Sequence, residues 1–268
     1  MKNQSAVQAF AGDALNSMEE IQREPTVCSS DHTLHSISVV LPAFNEAENI
    51  EHSVDRAYSA LSHYFNDLEI IVVDDGSEDE TGSIIDRLAS ERDYVVALHH
   101  GINRGYGATL RTGIERSRKD LIFFTDADLQ FDFDEVLGLM DWVDEYEIVA
   151  GYRARRADPW HRKFNAWGWN RLVRVVLGLK VKDIDCAFKL FHRHVFESVP
   201  LESVGAMINT EILAKANHQG MRIKEVPVSH FKRRSGVQSG AKIRVILKAL
   251  RELSKMRQKL KIPAHKRI

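Results

Sequence analysis

Short apolar runs alternate with longer amphipathic segments along much of this chain. Residues 37–41, 70–73 and 121–124 are built almost entirely from Ile, Val, Leu and Phe. Between the first two runs, residues 50–61 repeat apolar side chains at helical spacing. Nearly continuous apolar runs are typical of strands covered on both faces, and strands that alternate with helices indicate βαβ units. The sequence therefore predicts an α/β fold in which helices flank a mostly parallel central sheet.

The same patterns predict the bounds of the individual elements. Pro42 is expected to end the first strand, because proline cannot donate to a sheet, and Asn45 is expected to cap the first helix. Residues 223–228 are predicted as an edge strand, since Pro227 lies near their end. The predicted strands cover residues 37–41, 68–73, 94–98, 120–125, 147–150 and 223–228, and the predicted helices cover residues 46–61, 79–91, 108–117, 133–144, 159–177, a segment ending near 218, and 241–268.

The composition indicates a globular protein that buries its own core. The chain has 268 residues, of which 44% are hydrophobic and 28% are charged, as in soluble globular domains. Cys28 and Cys186 are the only cysteines and show no metal-ligand spacing, which favours a reducing cytosol. No run of about 18 apolar residues is present, so a membrane-spanning helix is not expected.

Three segments are predicted along the chain. Residues 1–35 contain few aromatic residues and no secretory signal, and we expect them to form a flexible N-terminal extension. Residues 36–240 hold the alternating strands and helices. Residues 241–268 carry ten cations and a single acidic residue, Glu252, and they are predicted to form a basic amphipathic helix. Such a helix can lie on an anionic membrane surface or pack its apolar stripe on the domain, and the sequence leaves both open.

Polar loops follow four consecutive predicted strands. These loops cover residues 42–46, 74–77, 103–107 and 126–130. Right-handed βαβ crossovers bring them to one edge of the sheet, where open α/β sheets bind ligands. Each loop alone has a structural explanation, because glycines allow turns and Asp or Ser caps helices. Together they favour a nucleotide site, in which Asp75 could bind a base N–H or a ribose hydroxyl.

The loop at residues 126–130, with the sequence Asp-Ala-Asp-Leu-Gln, carries the strongest chemical signal. If this segment stays extended, Asp126, Asp128 and Gln130 face the same side. Their oxygen atoms suit Mg²⁺ or Mn²⁺ that already carries phosphate oxygens. The alternative is an acidic loop in which Asp128 caps a helix. No G-x-x-x-x-G-K-[ST] and no complete G-x-G-x-x-G are present, so acidic groups rather than a glycine-rich cradle point to a sugar-nucleotide site.

These motifs resemble those of a known family. Residues 38–46, 73–77 and 126–130 are similar, in order and in strand context, to the motifs of family 2 glycosyltransferases. The resemblance extends over about residues 36–240 and implies a GT-A fold with a Rossmann-like sheet. It is strongest to the dolichol-phosphate mannosyltransferase and polyprenyl-phosphate glycosyltransferase branch, and Gln130 favours that branch. The implied reaction is inverting transfer of a hexose, mannose or glucose, from GDP-mannose or UDP-glucose to a polyprenyl or dolichyl phosphate.

The resemblance also implies roles for particular residues. It implies that the metal, Mg²⁺ or Mn²⁺, is held by Asp126, Asp128 and Gln130. It assigns the nucleotide sugar to Pro42, Asn45, Glu46, Asp74, Asp75, Arg104, Gly105, Asp126 and Ala127. Catalysis is assigned to Asp128, Arg153 and Arg234, and the acceptor phosphate to Arg153, Arg162, Arg234 and Ser239. Two positions depart from the family pattern: Ala166 stands where relatives often carry serine, and Gly240 stands where they usually carry lysine.

Residues 155–174 interleave cations with Trp160, Trp167 and Trp169. Such a stretch is found in nucleic-acid sites and at membrane interfaces, and it also occurs as a solvated basic face with Trp in the core. The formal net charge of −1 and the lack of a nucleic-acid motif favour a lipid phosphate over nucleic acid. We therefore expect a cytoplasmic protein held peripherally at the cytoplasmic membrane face, by the lipid surface or by a membrane-embedded partner protein.

Two other functions remain compatible with the sequence. One is transfer to a sugar or protein hydroxyl during glycan synthesis, with Glu211 as the base, because many family 2 enzymes carry an acidic base in this region. The other is an inactive peripheral-membrane scaffold on a transferase fold. The intact motif at residues 126–130 argues against the scaffold, and the absence of Gln-x-x-Arg-Trp argues against a processive polysaccharide synthase.

Overall fold

A seven-stranded sheet forms the centre of the fold. The computed structural model describes residues 35–155, 160–232 and 243–260. The strands are β1 (Ile37–Ala43), β2 (Leu68–Asp74), β3 (Val95–His99), β4 (Leu121–Phe124), β5 (Ile148–Arg155), β6 (Lys189–His192) and β7 (Ile223–Ser229). Their order across the sheet is β3-β2-β1-β4-β6-β5-β7. Of these seven strands, β6 alone runs antiparallel to its neighbours, and β7 lies at an edge as expected.

Helices cover both faces of this sheet. In the described part of the chain they are α1 (Ile50–Leu61), α2 (Thr81–Glu91), α3 (Tyr106–Arg116), α4 (Val136–Met140), α5 (Trp160–Leu177), α6 (His194–Ser198), α7 (Met207–His218) and α8 (Ile243–Lys259), with a 3-10 turn at Phe133–Glu135. The prediction of an α/β fold with a mostly parallel sheet between helices is confirmed.

Alternate residues of β1 show how both faces are buried. Val39 and Leu41 pack in a hydrophobic cluster that includes residues of α1, α2 and α4. Val40 points the other way and packs in a second cluster with residues of α3, α5 and α7. Successive strand side chains face opposite sides of a sheet, so both sets must be apolar here. This explains the nearly continuous apolar runs in the sequence.

The prediction that Pro42 ends the first strand is wrong, because β1 continues to Ala43. Pro42 pairs with Val73 of β2, whereas the pairing of β1 with β4 stops at Val40. The Val40 carbonyl accepts a hydrogen bond from the β4 side, from Thr125 N. Pro42 is two residues after Val40, so its backbone nitrogen points to the same side of β1. On that side β4 no longer pairs with β1 at this position. No ladder hydrogen bond is lost there, and proline is tolerated.

The prediction that Asn45 caps the first helix is also wrong. The helix α1 begins at Ile50, and Asn45 has a φ of 55°, in the left-handed region that Asn adopts more readily than most residues. A turn separates the two, in which the Glu46 carbonyl accepts hydrogen bonds from the backbone of Asn49 and Ile50. The helix predicted at residues 133–144 is likewise reduced to the 3-10 turn and the short α4.

The C-terminal helix α8 packs on the second face of the sheet. Leu253 and Met256 of α8, and Leu260 directly after it, are buried in the second cluster. Lys259 also forms an ion pair with Glu202. The packing alternative therefore holds for this helix, and a membrane role stays a proposal. Within the described residues, no helix is both long enough and apolar enough to cross a bilayer. Residues 1–34 of the predicted extension at residues 1–35, and the end of the chain after residue 260, lie outside the described residues.

Candidate active site

The residues predicted to bind the nucleotide sugar and the metal lie at the carboxyl ends of β1, β2, β3 and β4. Among them, Asp75 organises the loop after β3. The Asp75 side chain is buried, and its Oδ1 accepts a hydrogen bond from Arg104 N at 2.9 Å while its Oδ2 accepts one from Gly105 N at 2.8 Å. His100 Nδ1 lies 2.7 Å from the same Oδ1. The Asp75 carboxylate thus fixes the backbone beside the expected nucleotide position.

Two glycines permit this close packing of loops. Gly105 has a φ of 94°, and a Cβ atom on it would lie 2.6 Å from the Val204 carbonyl oxygen. Gly76 has a φ of 70°, and a Cβ atom there would lie 2.7 Å from the Ile102 carbonyl carbon. Any other residue would combine left-handed backbone strain with a backbone clash. The sequence suggested that glycines in these loops allow turns. The structure shows in addition that each glycine lies directly against the backbone of another loop.

The loops after β1 and β2 are joined by hydrogen bonds. The Ser77 hydroxyl oxygen accepts a bond from Asn45 N at 2.9 Å, and Asn45 Oδ1 accepts one from Glu78 N at 2.8 Å. Asp74 Oδ1 accepts a bond from Ser77 N at 3.0 Å. Asn45 and Asp74 therefore lie in one connected wall, as the predicted nucleotide-sugar site requires.

Glu46 extends this wall toward α1 and α2. Its backbone N donates to Thr81 Oγ1 at 2.9 Å, and its Oε2 accepts from Asn49 Nδ2 at 2.7 Å. The Ala127 carbonyl, in the loop after β4, accepts a bond from Ser53 Oγ of α1 at 2.8 Å. The loop after β4 is thus fixed to the helix that follows β1.

The extended backbone that we predicted for residues 126–130 is wrong, because the chain turns there. Leu129 has a φ of 58°, and Asp128 Oδ1 accepts a bond from Gln130 N at 3.1 Å, which closes the turn. Gln130 then joins Phe231, after β7, through two bonds. Gln130 Nε2 donates to the Phe231 carbonyl at 2.9 Å, and Phe231 N donates to the Gln130 carbonyl at 2.8 Å. The metal-ligand role of Gln130 stays a prediction.

Asp126 and Asp128 form an electrostatically costly pair. Burial and the negative charge of Asp128 raise the pKa of Asp126 to about 7, although Arg153 and Lys189 act in the opposite direction. Asp128 is itself buried. Two close carboxylates cannot both ionise without a penalty, and a bound cation removes that penalty. The pair therefore fits a divalent cation.

The number of carboxylates also indicates what kind of cation site these residues could form. In residues 35–155, 160–232 and 243–260, no group of three or more His, Cys, Asp or Glu side chains is placed to hold a metal by itself. Mg²⁺ is commonly held by one or two carboxylates, with substrate phosphates and water completing its shell. The two aspartates fit that arrangement.

Arg153 projects from β5 and pairs with Asp183. Its Nε lies 2.6 Å from Asp183 Oδ2, and one Nη lies 2.7 Å from Asp183 Oδ1. Burial disfavours the charged guanidinium, but the hydrogen bonds that Arg153 donates to Asp183 and the charge of Asp183 outweigh burial and raise the pKa of Arg153. Arg153 lies close enough to lower the pKa of Asp126, so the structure brings it to the predicted site.

Lys189 is a site residue that sequence reasoning did not select. It is fully buried at the start of β6, and its Nζ donates to the carbonyls of Ile184, at 3.1 Å, and Cys186, and to Asn209 Oδ1 at 3.3 Å. Burial lowers its pKa. Because β6 is antiparallel to β4, its first residue lies beside the last residue of β4. A lysine between the apolar residues Phe188 and Leu190 is a sequence signal that could have predicted a buried, functional cation here.

The hydrogen bonds and the ion pair of Glu211 are made with a backbone loop and with Lys215, rather than with Asp126 or Asp128. Its side chain is buried, and its oxygens accept hydrogen bonds from Glu202 N at 3.1 Å and Ser203 N at 2.7 Å. Lys215 Nζ pairs with it at 2.6 Å. Glu211 therefore holds the loop at residues 202–205, and that loop packs against the start of α3.

Comparison with known proteins identifies the family. Residues 38–199 match the sequence model described as Glycosyl transferase family 2. The chain belongs to this family. This family 2 chain is 36% identical over 202 residues to the glycosyltransferase AglD of Haloferax volcanii. The matched region covers 72% of the chain and 32% of AglD.

A second relative is the undecaprenyl-phosphate 4-deoxy-4-formamido-L-arabinose transferase of Enterobacter sp. strain 638. It is 32% identical over 222 residues, which cover 80% of the chain and 65% of the relative. The family 2 chain thus spans less than two thirds of either relative's length.

Solved structures agree with the fold. Glucosyl-3-phosphoglycerate synthase from Mycobacterium tuberculosis, in complex with phosphoglyceric acid, superposes with a TM-score of 0.63 at 23% identity, covering 85% of this chain and 81% of that one. The mannosyltransferase PcManGT from Pyrobaculum calidifontis, in complex with GDP-Man and Mn²⁺, superposes with a TM-score of 0.55 at 19% identity, covering 86% and 68%. These likenesses show that the family 2 chain has the GT-A fold.

The side chains of three residues predicted to bind the acceptor phosphate lie outside the described part of the structure. Arg162 lies on α5, but its side chain is outside the described set. Arg234 and Ser239 lie outside the described residues. Their roles in this family 2 chain stay predictions.

Proposed function

We propose that this chain transfers a hexose, mannose or glucose, from a nucleoside diphosphate sugar to a polyprenyl or dolichyl phosphate, with inversion and with Mg²⁺ or Mn²⁺. Membership of the family supports glycosyl transfer. The Enterobacter relative is named for an undecaprenyl-phosphate substrate. Solved structures of the same fold hold UDP-glucose or GDP-Man together with Mn²⁺, which supports GDP-mannose or UDP-glucose as the donor.

The donor half of the site is assigned to the loops after the parallel strands. Asp75 and the backbone it fixes at Arg104 and Gly105 are proposed to hold the nucleoside. Fixed polar groups lose little conformational freedom when a ligand arrives. The connected wall after β1 and β2 is proposed to complete the pocket with Pro42, Asn45, Glu46, Asp74 and Ala127.

Asp126 and Asp128, with Gln130, are proposed to hold the metal. When bound, the metal would neutralise charge on the leaving diphosphate. The carboxylate pair supports this role because it is buried and self-repelling without a cation.

The contacts of Glu211 are the observation that carries the choice of acceptor. A phosphate monoester with a second pKa near ~6 is already an anionic nucleophile at neutral pH, whereas a hydroxyl acceptor needs a base. Glu211, the base that a hydroxyl acceptor would require, is buried and already binds Lys215 and two backbone N–H groups. The phosphate acceptor therefore fits better.

Approach of an anionic acceptor to a diphosphate requires positive charge. Arg153 is proposed to provide it, because a guanidinium has more N–H donors than its pair with Asp183 uses. Arg162, Arg234 and Ser239 are proposed to complete the phosphate site, by resemblance to the family.

We place this reaction in the cytoplasm, at the cytoplasmic face of a membrane, since a polyprenyl phosphate is embedded in one. Residues 241–268 supply basic charge toward anionic lipid or a membrane-embedded partner protein. In this view residues 36–240 form the catalytic domain and residues 1–35 an extension. A nucleic-acid partner is not proposed.

The test uses purified protein with Mg²⁺ or Mn²⁺ and a panel of labelled GDP- and UDP-sugars, each with and without a polyprenyl phosphate in detergent. Labelled product that partitions into organic solvent and requires both metal and lipid phosphate is the expected result. Transfer to a soluble glycan without lipid would support the hydroxyl acceptor instead. No turnover with any donor would support the inactive scaffold.

A further inference from the structure

The hydroxyl group of Tyr106 is buried without a hydrogen bond among the described residues. It lies close to the Asp126 carboxylate and to the Asn209 side chain, but neither contact reaches hydrogen-bonding geometry. Buried hydroxyl groups in folded proteins nearly always have a partner. An unsatisfied donor that faces a candidate metal ligand therefore calls for an explanation.

The position of Tyr106 is fixed by the loop at residues 202–205. Val204 O accepts hydrogen bonds from Gly107 N at 3.0 Å and Ala108 N at 3.3 Å, which caps the first turn of α3. A Cβ atom on Gly107 would lie 2.6 Å from the Gly205 carbonyl oxygen. Glu211 holds this loop in turn, so the first turn of α3, which carries Tyr106, is tied to a loop that is itself fixed.

The neighbouring contacts set the direction of the hydroxyl proton. Lys189 Nζ has only donors, so the Asn209 atom that it contacts at 3.3 Å is the amide oxygen. The amide nitrogen of Asn209 is then the group left to face Tyr106, and an N–H donates. In a hydrogen bond on this side the Tyr106 oxygen would accept, which leaves the Asp126 carboxylate as the acceptor for the single hydroxyl proton.

We propose that Tyr106 is a positioning residue that donates its hydroxyl proton to the Asp126 carboxylate when a divalent cation is bound, and so fixes the orientation of that ligand. This inference rests on the proposed metal role of Asp126. Lys189, Asn209 and Tyr106 then form a continuous polar chain behind the cation. A phenolic hydroxyl carries its proton at neutral pH, so Tyr106 can donate.

The proposal predicts two effects of opposite sign for Tyr106→Phe. Removal of an unsatisfied buried hydroxyl should leave the metal-free protein as stable as before or more stable. Loss of a hydrogen bond to a charged ligand should weaken Mn²⁺ binding roughly tenfold. A purely structural tyrosine would not produce this combination, because damage to packing lowers stability and metal affinity together.

The experiment measures Mn²⁺ binding by electron paramagnetic resonance, with GDP and separately with UDP, and the melting temperature without metal. Tyr106→Phe is compared with Tyr64→Phe, which removes the hydroxyl of a surface tyrosine 38% exposed, and with Asp126→Asn. We expect unchanged binding for Tyr64→Phe, weaker binding for Tyr106→Phe and loss for Asp126→Asn.

The outcomes separate this inference from the proposed function. If the wild type binds Mn²⁺, Asp126→Asn does not, and Tyr106→Phe binds as the wild type does, the role of Tyr106 is refuted while the metal site stands. A large fall in the melting temperature of Tyr106→Phe would also overturn it. If the wild type itself fails to bind Mn²⁺ with either nucleotide, the metal part of the proposed function fails, and this inference fails with it.

Discussion

The two halves of the sheet hold their charged groups by different means. In the half that contains β1 to β4, the carboxylates of Asp74 and Asp75 accept hydrogen bonds from backbone N–H groups of neighbouring loops. In the half that contains β5 to β7, Arg153 pairs with Asp183 and Glu211 pairs with Lys215. In the first arrangement backbone N–H groups bind the carboxylates, and in the second each carboxylate also has an arginine or lysine side chain beside it.

This difference affects both stability and function. Asp74 and Asp75 contact His99 and His100 but pair with no arginine or lysine in the described residues, so no such side chain competes there with a ligand. A buried ion pair neutralises itself and is strongly destabilised when one partner is removed. The site lies where the two halves meet, at Asp126 and Lys189, and the predictions below test each side of this contrast.

The largest effect is expected at the boundary itself. Asp128→Asn keeps the oxygen that accepts from Gln130 N but removes the charge that we propose binds the metal. Turnover should fall about a thousandfold, because a metal contributes several kcal/mol to transition-state stabilisation. Steady-state kinetics with saturating donor and lipid phosphate would measure this.

A matched control separates this effect from a general loss of acidic charge. Asp134→Asn removes a carboxylate that is 62% exposed and pairs with Arg56 on the surface, and it should leave turnover unchanged. The melting temperature of metal-free Asp128→Asn should not fall, since repulsion with Asp126 is relieved. Retained activity in Asp128→Asn would refute the metal assignment.

The second effect tests the ion pairs of the β5 to β7 half. Asp183→Ala leaves the guanidinium of Arg153 buried and unpaired, with only 11% of its side chain exposed. The free energy of unfolding should fall by about 3–5 kcal/mol, as measured by urea denaturation. Combining Arg153→Met with Asp183→Leu should recover most of this loss, since an apolar pair leaves no buried charge. If Asp183→Ala costs less than ~1 kcal/mol, the contrast between the halves is wrong.

The third effect tests the backbone packing of the β1 to β4 half. Gly105→Ala forces a φ of 94° on alanine and places a Cβ atom 2.6 Å from the Val204 carbonyl oxygen. The free energy of unfolding should fall by about 1–3 kcal/mol, and nucleotide affinity should fall with it. Gly101→Ala is the control, because a Cβ atom on Gly101 meets no atom within 4 Å. Equal stability of the two variants would contradict the packing described here.

The smallest effect concerns a pair at the surface. The side-chain hydrogen bond from Arg222 lowers the pKa of Glu147 from 4.5 to about 2. A lowered pKa in the folded state means that the pair stabilises above pH 4.5 and that this stability is lost as the pH falls toward 2. Arg222 is 61% exposed, so solvent screens the pair and its contribution to stability should be small.

Urea denaturation of the wild type and of Arg222→Ala at pH 6 and pH 3 would measure this contribution. The difference between the two proteins should be larger at pH 6 than at pH 3. A difference that grows as the pH falls would show that the sign is wrong.

The sequence predicted the β1 to β4 half well for a physical reason. Parallel strands place all their carboxyl ends at one edge, so the loops holding Asp75 and Asp126 could be brought together without coordinates. The local backbone was less predictable. Asn45 and Leu129 both adopt left-handed conformations, and each invalidated an inference that assumed regular helix or strand geometry.

The β5 to β7 half was predicted less completely. The strand β6 was not predicted, because its sequence Lys-Leu-Phe-His holds only two apolar residues, and a sequence pattern does not show the direction of a strand. The reversed direction of β6 is what places Lys189 beside the end of β4. The contact between Tyr106 and Asp126 depends on the loop at residues 202–205, far away in sequence. Such contacts require knowledge of the tertiary structure.

The place of β6 in the sheet has a consequence for synthesis on the ribosome. The strand lies between β4 and β5, yet it follows both in the chain, and its last residue, His192, is synthesised 68 residues after Phe124. When β5 leaves the ribosome, neither of its neighbours, β6 and β7, exists. The edge of β4 therefore stays unpaired while β1 to β4 can already assemble, and exposed strand edges invite pairing with other chains. The rate at which residues 189–192 arrive and dock thus limits how long the nascent protein is vulnerable to aggregation.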